Sequence, residues 1–219
     1  MDKPKSSVSS SSKVWRRSKL WKMKRDFQIK FLSDVGLKPE HYLFDLGCGT
    51  LRGGILLIQY LENSHYFGVE TWEEALNEGR RELRETGLES KNPTFLLSSD
   101  ISQLVVGRKF DYMWAFSVLI HMNDKILNNA LGFVSKHLSK GGVFYANVNT
   151  GDMREGGWHG FPVVARTFDF YSQICAMNGL TVSDLGSLKE LGHISNVKLQ
   201  DNQRMLKIKS EQIYGRNSN

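Results

Sequence analysis

The 219-residue chain is long enough for one α/β domain with a proper core and too short for two domains of ordinary size. Its hydrophobic content of 40% and charged content of 24% are ordinary for a globular protein, and no apolar run approaches the about 20 residues that a membrane helix needs. These values predict one soluble domain without a transmembrane segment. The two cysteines, Cys48 and Cys175, are too few for a disulfide framework, so a reducing, cytoplasmic location is expected.

The net charge of +6 is concentrated at the start of the chain. Residues 1–25 contain nine Lys and Arg against the single acid Asp2, a charge of +8, so that residues 26–219 carry −2. A nearly neutral body argues against a duplex-binding surface on the domain itself. Contact with nucleic acid is expected, if at all, only through the basic arm.

The first predicted elements are a tail and a helix. Residues 1–17 predict a basic, Ser-rich, flexible tail, because such a run cannot bury apolar surface to offset chain entropy. The remainder, 18–219, is predicted to form the single domain. An amphipathic helix is predicted over about 18–36, ending at Gly36. The apolar residues at helical spacing are Leu20, Met23, Phe27 and Phe31.

The most informative stretch is His41–Gly54, HYLFDLGCGTLRGG. Tyr42–Asp45 predicts a short buried strand, a glycine turn follows, and Ile55–Leu61 predicts a helix. Gly47 and Gly49 let the backbone turn tightly and approach a ligand where a Cβ would collide. The helix after the turn presents unpaired N–H groups, so the stretch predicts a nucleotide pocket.

Two cofactor classes use such a turn. The dinucleotide fingerprint G-x-G-x-x-G needs a third glycine where Arg52 stands, which weakens the NAD interpretation. Asp45 followed by G-x-G resembles the first motif of the class I S-adenosylmethionine-dependent methyltransferases, in which the glycine turn lies against the amino-acid part of the cofactor. The fullest family pattern is D-x-G-x-G-x-G. Here Leu51 occupies the third glycine position, and the glycines come later as Gly53 and Gly54, which leaves the local path of the loop open.

The next motifs follow at the distances that the family shows. His65–Val69 predicts a second strand ending on Glu70, whose carboxylate suits a ribose diol because it accepts two hydroxyl hydrogen bonds side by side. Replacing Glu70 by Ala is expected to weaken cofactor binding about tenfold to a hundredfold, with little effect on the unliganded protein. Thr94–Leu97 predicts a third strand leading to Asp100, which the resemblance implies near the adenine amino group. Arg52 could pair with the cofactor carboxylate or with Glu70.

The resemblance covers roughly residues 31–209 and implies a single Rossmann-like, doubly wound α/β fold. Its sheet would have seven strands, mostly parallel with an antiparallel last strand, and helices on both faces. Phe110–Met122 resembles the fourth strand with the loop beyond it, and Leu138–Val148 resembles a helix end, a glycine turn and the fifth strand. Glycine-rich residues 150–161 are predicted to form an irregular, lid-like loop. The other predicted elements are the helices Glu73–Thr86, Asp124–His137 (capped by Asn123) and Phe168–Asn178, and the antiparallel strands Leu180–Asp184 and Met205–Ile208.

The resemblance implies S-adenosylmethionine as the cofactor and assigns its site to the turn and the strand ends. Trp72 could lie on the adenine ring, while Cys48 is expected to be a small packing side chain rather than a reactive thiol. No metal site is predicted, because the six histidines are scattered without ligand spacing. The predicted cofactor-binding residues are Asp45, Gly47, Cys48, Gly49, Glu70, Thr71, Trp72, Asp100, Ile101, Phe116 and Ser117.

Methyl transfer from a sulfonium requires an acceptor held in line, exclusion of water and, for a hydroxyl, removal of a proton. His121, beyond the fourth strand, and His159, in the lid, are the candidate bases, although each could also only shape the pocket. Trp21, Asp152 and Trp158 are the candidates for acceptor contacts. The expected reaction is methylation of a small polar acceptor, such as the hydroxyl of a sugar or another metabolite.

Three other functions stay open at this point. An RNA or protein methyltransferase would use the basic arm, although Ser117–Ile120 replace the N-P-P-Y-like run of base-amino methyltransferases. A non-catalytic cofactor-binding module and an NAD-dependent reductase are the remaining alternatives. The oligomeric state is not predicted.

Overall fold

The computed structural model describes residues 19–151, 154–158 and 161–211. The predicted tail over 1–17 lies outside these residues, so the division into tail and domain stays a prediction. Within the described residues, the six helices are α1 (Lys19–Asp34), α2 (Gly54–Tyr60), α3 (Glu73–Glu85), α4 (Asp124–His137), α5 (Phe168–Met177) and α6 (Lys198–Asp201). The nine strands of this part are β1 (Leu43–Leu46), β2 (Tyr66–Glu70), β3 (Thr94–Leu97), β4 (Phe110–Ala115), β5 (Leu138–Thr150), β6 (Arg154–Trp158), β7 (Phe161–Arg166), β8 (Leu180–Ser187) and β9 (Arg204–Ser210).

The main sheet has the order β3-β2-β1-β4-β5-β9-β8. The first five strands are parallel, while β9 runs antiparallel to both β5 and β8. The strand order reverses between β1 and β4, and ligands of open α/β sheets bind at such a point, beyond the carboxyl ends of the strands. The predicted fold class, a mostly parallel Rossmann-like sheet with an antiparallel last strand, is confirmed.

The predicted strand count of seven is wrong, because the described residues contain nine strands. The two additional strands, β6 and β7, form an antiparallel hairpin, and β7 also pairs in parallel with the end of β5. This hairpin occupies much of the segment 150–161 that was predicted to be irregular. Backbone pairing needs no side chains, so the glycines of β6 can pair with β7 despite their low strand propensity. The fifth strand also begins directly at Leu138, where a helix end and a glycine turn were predicted.

Two apolar cores cover the two faces of the sheet. Helices α4 and α5 pack on one face, where Phe44, Phe133 and Tyr171 are buried. Helices α1, α2 and α3 pack on the other face around Trp114. Helix α1 lies where the amphipathic helix was predicted, and it buries side chains at helical spacing in its second half. None of the described helices is long and apolar enough to cross a membrane.

Candidate active site

The glycine turn after β1 alternates between ordinary and left-handed backbone. Gly47, Gly49 and Leu51 have φ angles of +75°, +54° and +58°. A Cβ on Gly47 would lie 2.6 Å from a methyl carbon of Val118, so this glycine allows the turn to pack against the segment after β4. A Cβ on Gly49 would meet nothing closer than Glu70 Oε2 at 3.9 Å. The backbone at Gly49 is therefore the face of the turn that a ligand can approach.

Leu51 adopts the left-handed conformation that the third glycine of the family motif would permit. Its side chain is fully buried, and two glycines make room for it. A Cβ on Gly54 would lie 2.9 Å from Leu51 Cδ2, and a Cβ on Gly79 would lie 2.8 Å from Leu51 Cγ. The loop therefore keeps a left-handed residue at this position, and the glycines of α2 and α3 accommodate the larger side chain.

Asp45 lies beneath the turn, where it is 5% exposed. The Tyr66 hydroxyl donates a hydrogen bond of 2.6 Å to Asp45 Oδ2. Burial raises the pKa of Asp45 to about 7, against the opposing effect of the Tyr66 hydrogen bond. The thiol of Cys48 packs against Gly68, and burial raises its pKa well above the ordinary range, so Cys48 is a protonated packing residue.

The pH dependence of the stability of Asp45→Asn tests the raised pKa of the buried Asp45 carboxyl. A carboxyl whose pKa is raised by folding destabilises the protein increasingly as the pH rises from the unfolded pKa of about 4 to the folded pKa of about 7. Relative to the wild type, Asp45→Asn should therefore gain about 1.4 kcal/mol in free energy of unfolding per pH unit in this window. Urea unfolding of both proteins at pH 4 to 8 measures this difference in free energy of unfolding. A stability difference that is independent of pH would contradict the assignment.

Glu70 ties the end of β2 to the glycine turn. Its Oε2 accepts a hydrogen bond of 2.8 Å from Gly49 N, and its Oε1 accepts from Thr71 N at 2.7 Å and Trp72 N at 3.1 Å. The alternative of an Arg52–Glu70 pair is not formed among the described residues. Arg52 Nε is buried without a hydrogen-bond partner, and burial lowers the pKa of the guanidinium.

We expect Glu70→Ala to lower the free energy of unfolding by about 1–3 kcal/mol, because the turn loses charge-assisted hydrogen bonds to its backbone. This differs from the sequence-based expectation of little change in the unliganded protein. Cofactor affinity should fall about tenfold to a hundredfold if the same carboxylate also accepts the ribose hydroxyls. Denaturant unfolding and titration calorimetry measure the two effects.

Glu74→Ala is the matched control, because Glu74 is an exposed acid in the first turn of α3. It should change neither quantity by more than the few tenths of a kcal/mol expected at a helix start. Equal stability losses in the Glu70 and Glu74 variants would contradict the role of Glu70 in the turn.

The ends of β2 and β3 present exposed side chains to the same edge. Trp72 is 55% exposed, and Thr71 and Asp100 are exposed as well. Asp100 Oδ1 accepts from Ser102 Oγ at 2.7 Å and from Ser102 N at 3.0 Å, and these hydrogen bonds lower its pKa. Ile101 is buried in the core. Of the two residues predicted to contact the adenine here, only Asp100 therefore presents an exposed side chain to a ligand.

The end of β4 faces α1. Phe116 stacks on Trp114 with 5.6 Å between ring centroids, and its ring lies 5.6 Å from that of Phe27 in α1. Ser117 has a φ of +59°, and its backbone N–H donates to Asn147 Oδ1 at 2.6 Å. A buried amide network continues from there to β7. Its members are Asn147, Gln203, Asn149 and the Val164 carbonyl.

His121 lies in a short 3₁₀ turn after β4, and its Nδ1 is 2.7 Å from the Pro162 carbonyl oxygen of β7. This contact requires an Nδ1–H donor, which leaves the basic lone pair on Nε2. Trp21 is partly buried in the first half of α1, with the Arg25 guanidinium 5.2 Å from its ring centroid. Asp152, His159 and the side chain of Trp158 lie outside what the structure describes. Their predicted roles stay predictions.

The residue that sequence reasoning missed is His193, between β8 and β9. Because β8 is parallel to β5, the segment after β8 emerges at the same edge as the glycine turn. The imidazole of His193 lies 5.1 Å from the ring of Phe27 and 5.5 Å from that of Phe116, measured between centroids. The predicted strand ending at Asp184 already implied this placement, but no motif marked the histidine.

Residues 44–144 match the family described as a methyltransferase domain. The fold resembles that of an S-adenosylmethionine-dependent methyltransferase from Clostridium acetobutylicum (TM-score 0.67, 17% identity, 92% of this chain and 98% of that one). It also resembles magnesium protoporphyrin IX methyltransferase from Synechocystis with bound S-adenosylmethionine (TM-score 0.63, 18% identity, 93% and 92%). A third similar structure is the glycopeptide N-methyltransferase MtfA with S-adenosylmethionine (TM-score 0.67, 12% identity, 85% and 94%). Among curated proteins no significant match is found.

These findings confirm the recognition made from the motif series: residues 44–144 match a methyltransferase domain, and the structures with a similar fold are S-adenosylmethionine-dependent methyltransferases. Two of these similar structures contain bound S-adenosylmethionine. The residues present fit it, because the turn leaves an open backbone face at Gly49 and the ends of β2 and β3 carry exposed polar and aromatic side chains. No group of three or more His, Cys, Asp or Glu side chains within 19–151, 154–158 and 161–211 could hold a metal ion.

Proposed function

We propose that this methyltransferase acts on a small polar acceptor and methylates a hydroxyl group of a sugar or another metabolite. The observation that carries the proposal is the contact among Phe27, Phe116 and His193. These rings join α1, the segment after β4 and the segment after β8 across one edge of the sheet. A ring contact that closes over this edge favours a small acceptor over a duplex or a folded protein.

In the proposed cofactor site, the glycine turn holds the amino-acid part and Glu70 accepts the ribose hydroxyls. Trp72 would lie against the adenine ring, and Asp100 with the backbone at Ile101 would hold its amino group. When bound, S-adenosylmethionine supplies an electrophilic methyl group on a sulfonium. The protein's own residues then have to hold the acceptor in line, exclude water and accept a proton.

On the acceptor side, we propose that His121 positions the β6–β7 hairpin through Pro162. Trp21, Asp152 and Trp158 remain the proposed acceptor contacts, and His121 and His159 remain proposed bases. A cytoplasmic location is supported by the two cysteines, which are both free thiols.

The similarity of the folds does not identify the methyl acceptor, because 1267 solved chains match this structure. The similar structures include a porphyrin methyltransferase and a glycopeptide N-methyltransferase, which differ in acceptor chemistry. Beyond the ring contact, the proposal of a hydroxyl acceptor is supported by the candidate bases and by the near-neutral charge of residues 26–219.

The test is the formation of S-adenosylhomocysteine by the full chain over a panel of sugars, phenols, amines, peptides and RNA. Turnover with small hydroxyl compounds alone supports the proposal. Turnover with RNA alone, steeply dependent on salt and lost on deleting residues 1–17, would favour the basic arm instead. Cofactor binding without turnover on any acceptor would favour the non-catalytic alternative.

A further inference from the structure

The imidazole of His193 is buried, and its Nε2 has no hydrogen-bond partner within the described residues. The residue is 1% exposed, and Nδ1 has only a long contact with a carboxylate. The nearest acid is Asp201, whose Oδ1 lies 3.6 Å from Nδ1. Buried polar groups are nearly always hydrogen-bonded, and leaving one unpaired costs about 1–3 kcal/mol. A histidine in this state calls for a partner that the folded chain does not itself provide.

Hydrogen bonds from Ser195 hold the Asp201 carboxylate beside His193. Its Oδ1 accepts hydrogen bonds from Ser195 N at 2.8 Å and Ser195 Oγ at 2.7 Å. Burial acts to raise the pKa of Asp201, but the Ser195 hydrogen bonds and His193 outweigh it and lower the pKa. The carboxylate is therefore ionised at neutral pH and faces Nδ1 of the imidazole.

The other neighbours of His193 keep the imidazole neutral. Burial lowers its pKa, the charge of Lys24 in α1 lowers it further, and Asp201 acts in the opposite direction. Phe27 and Phe116 supply the remaining ring contacts and carry no charge. A neutral imidazole next to a carboxylate can accept a proton, because the imidazolium that forms is stabilised by the adjacent charge.

We propose that His193, oriented by Asp201, is the proton acceptor for the methyl acceptor's hydroxyl group; this inference rests on the proposed function. Nδ1–H points to Asp201, so Nε2 carries the lone pair. As the acceptor oxygen bonds to the methyl carbon, its proton passes to Nε2 and the O–H electron pair stays on oxygen. The C–S bond breaks with its electron pair left on sulfur. Phe27 must move aside for the acceptor to reach the ring.

A second buried histidine shows what a structural role looks like in this fold. His137, at the end of α4, is 4% exposed and stacks on Phe133 with 4.0 Å between ring centroids. Its Nδ1 is 2.9 Å from the Phe133 carbonyl oxygen. His137 therefore forms a hydrogen bond of ordinary length, whereas Nε2 of His193 has none within the described residues, and His137 is the matched control.

The experiment compares His193→Phe and His193→Gln with His137→Gln in the full chain. If His193 serves as a proton acceptor and not as a structural residue, His193→Phe should melt at the wild-type temperature or higher. The reason is that this substitution removes an unpaired polar atom from an aromatic contact. His137→Gln should melt lower, because it loses a packed ring and a hydrogen bond. A large drop in melting temperature for both His193 variants would indicate a structural role and overturn the proposal.

Imidazole ¹⁵N chemical shifts of His193, recorded with bound S-adenosylhomocysteine, provide a second test that does not require a methyl acceptor. They should report a neutral Nδ1–H tautomer at pH 7, with a titration midpoint that falls in Asp201→Asn because the adjacent negative charge is lost. An imidazolium at pH 7 would overturn the proposal. The melting temperatures and the ¹⁵N chemical shifts test His193 even if no acceptor of the panel is turned over. Absence of turnover would count against the proposed function instead.

With any hydroxyl acceptor that the panel identifies, both His193 variants should lower kcat about 10²- to 10⁴-fold with an unchanged KM for S-adenosylmethionine. Asp201→Asn should lower kcat less and move the acidic limb of the pH profile to lower pH. His137→Gln should leave kcat unchanged. Wild-type turnover in the His193 variants would contradict the assignment.

Discussion

Replacing Asp124 by Ala is expected to lower the free energy of unfolding by about 3–5 kcal/mol, because it leaves a buried guanidinium without its counter-charge. Arg166 is 1% exposed, and its Nε and Nη2 donate to Asp124 Oδ1 at 2.9 and 2.7 Å. Arg166 Nη2 also donates to the Met122 carbonyl at 2.7 Å. Arg166→Met should cost less, about 1–3 kcal/mol, since Asp124 is largely exposed and can be solvated.

Asp169→Ala is the control for this pair, because Asp169 is also an acid in the first turn of a helix but has no such partner among the described residues. Its loss should cost less than about 1 kcal/mol. Urea unfolding of the three variants and of the Asp124→Ala/Arg166→Met double variant measures the pair. A double variant clearly less stable than Asp124→Ala alone would mean that the unpaired arginine is not what destabilises the single variant.

Leu51→Ala and Leu51→Gly should both lower the free energy of unfolding, by about 2–5 kcal/mol, since the side chain is fully buried. The order of the two variants is the sharper expectation. With a φ of +58°, position 51 favours glycine by about 1 kcal/mol, so Leu51→Gly should be the more stable of the two.

Leu57 provides the control, because it is equally buried but lies inside helix α2. There glycine costs about 1 kcal/mol relative to alanine, so Leu57→Gly should be the less stable variant. Chemical unfolding of the four variants tests the reversal. The same order of Gly and Ala at both positions would contradict the left-handed conformation of the loop.

Much of the fold could be predicted because its parallel strands are short apolar runs that end at glycine or polar residues. Thr94–Leu97 and Asp124–His137 were predicted with their observed bounds, and the Asn123 cap is formed, with its side chain accepting from Ile126 N at 2.9 Å. Local signals of this kind depend on residues close in the chain, so a single sequence contains them.

The β6–β7 hairpin could not be predicted in the same way. Glycine-rich REGGW has low intrinsic strand propensity, and its pairing depends on β7 and the end of β5. Arg166 in turn holds β7 to the start of α4, 42 residues away. These contacts are long-range, and nothing in the local pattern of the segment reports them.

The positions of Gly49, Glu70 and Asp100 could be predicted, and the position of His193 could not. Gly49, Glu70 and Asp100 lie at or just beyond the ends of three parallel strands in a recognisable motif series, and the structure brings them to one edge. His193 has no motif and is placed only by the reversal of β8 and β9 at the far side of the sheet. The unpaired Nε2 of its buried imidazole is a property of the packed interior.

The most direct test of the central claim is titration calorimetry of the full chain with S-adenosylhomocysteine. We expect saturable binding at one site, weakened in Glu70→Ala and unchanged in Glu74→Ala, with no comparable binding of NADH. Absence of detectable binding at millimolar S-adenosylhomocysteine, a limit of about −4 kcal/mol, would contradict the assignment of the glycine turn as the site of a methyl-donor cofactor.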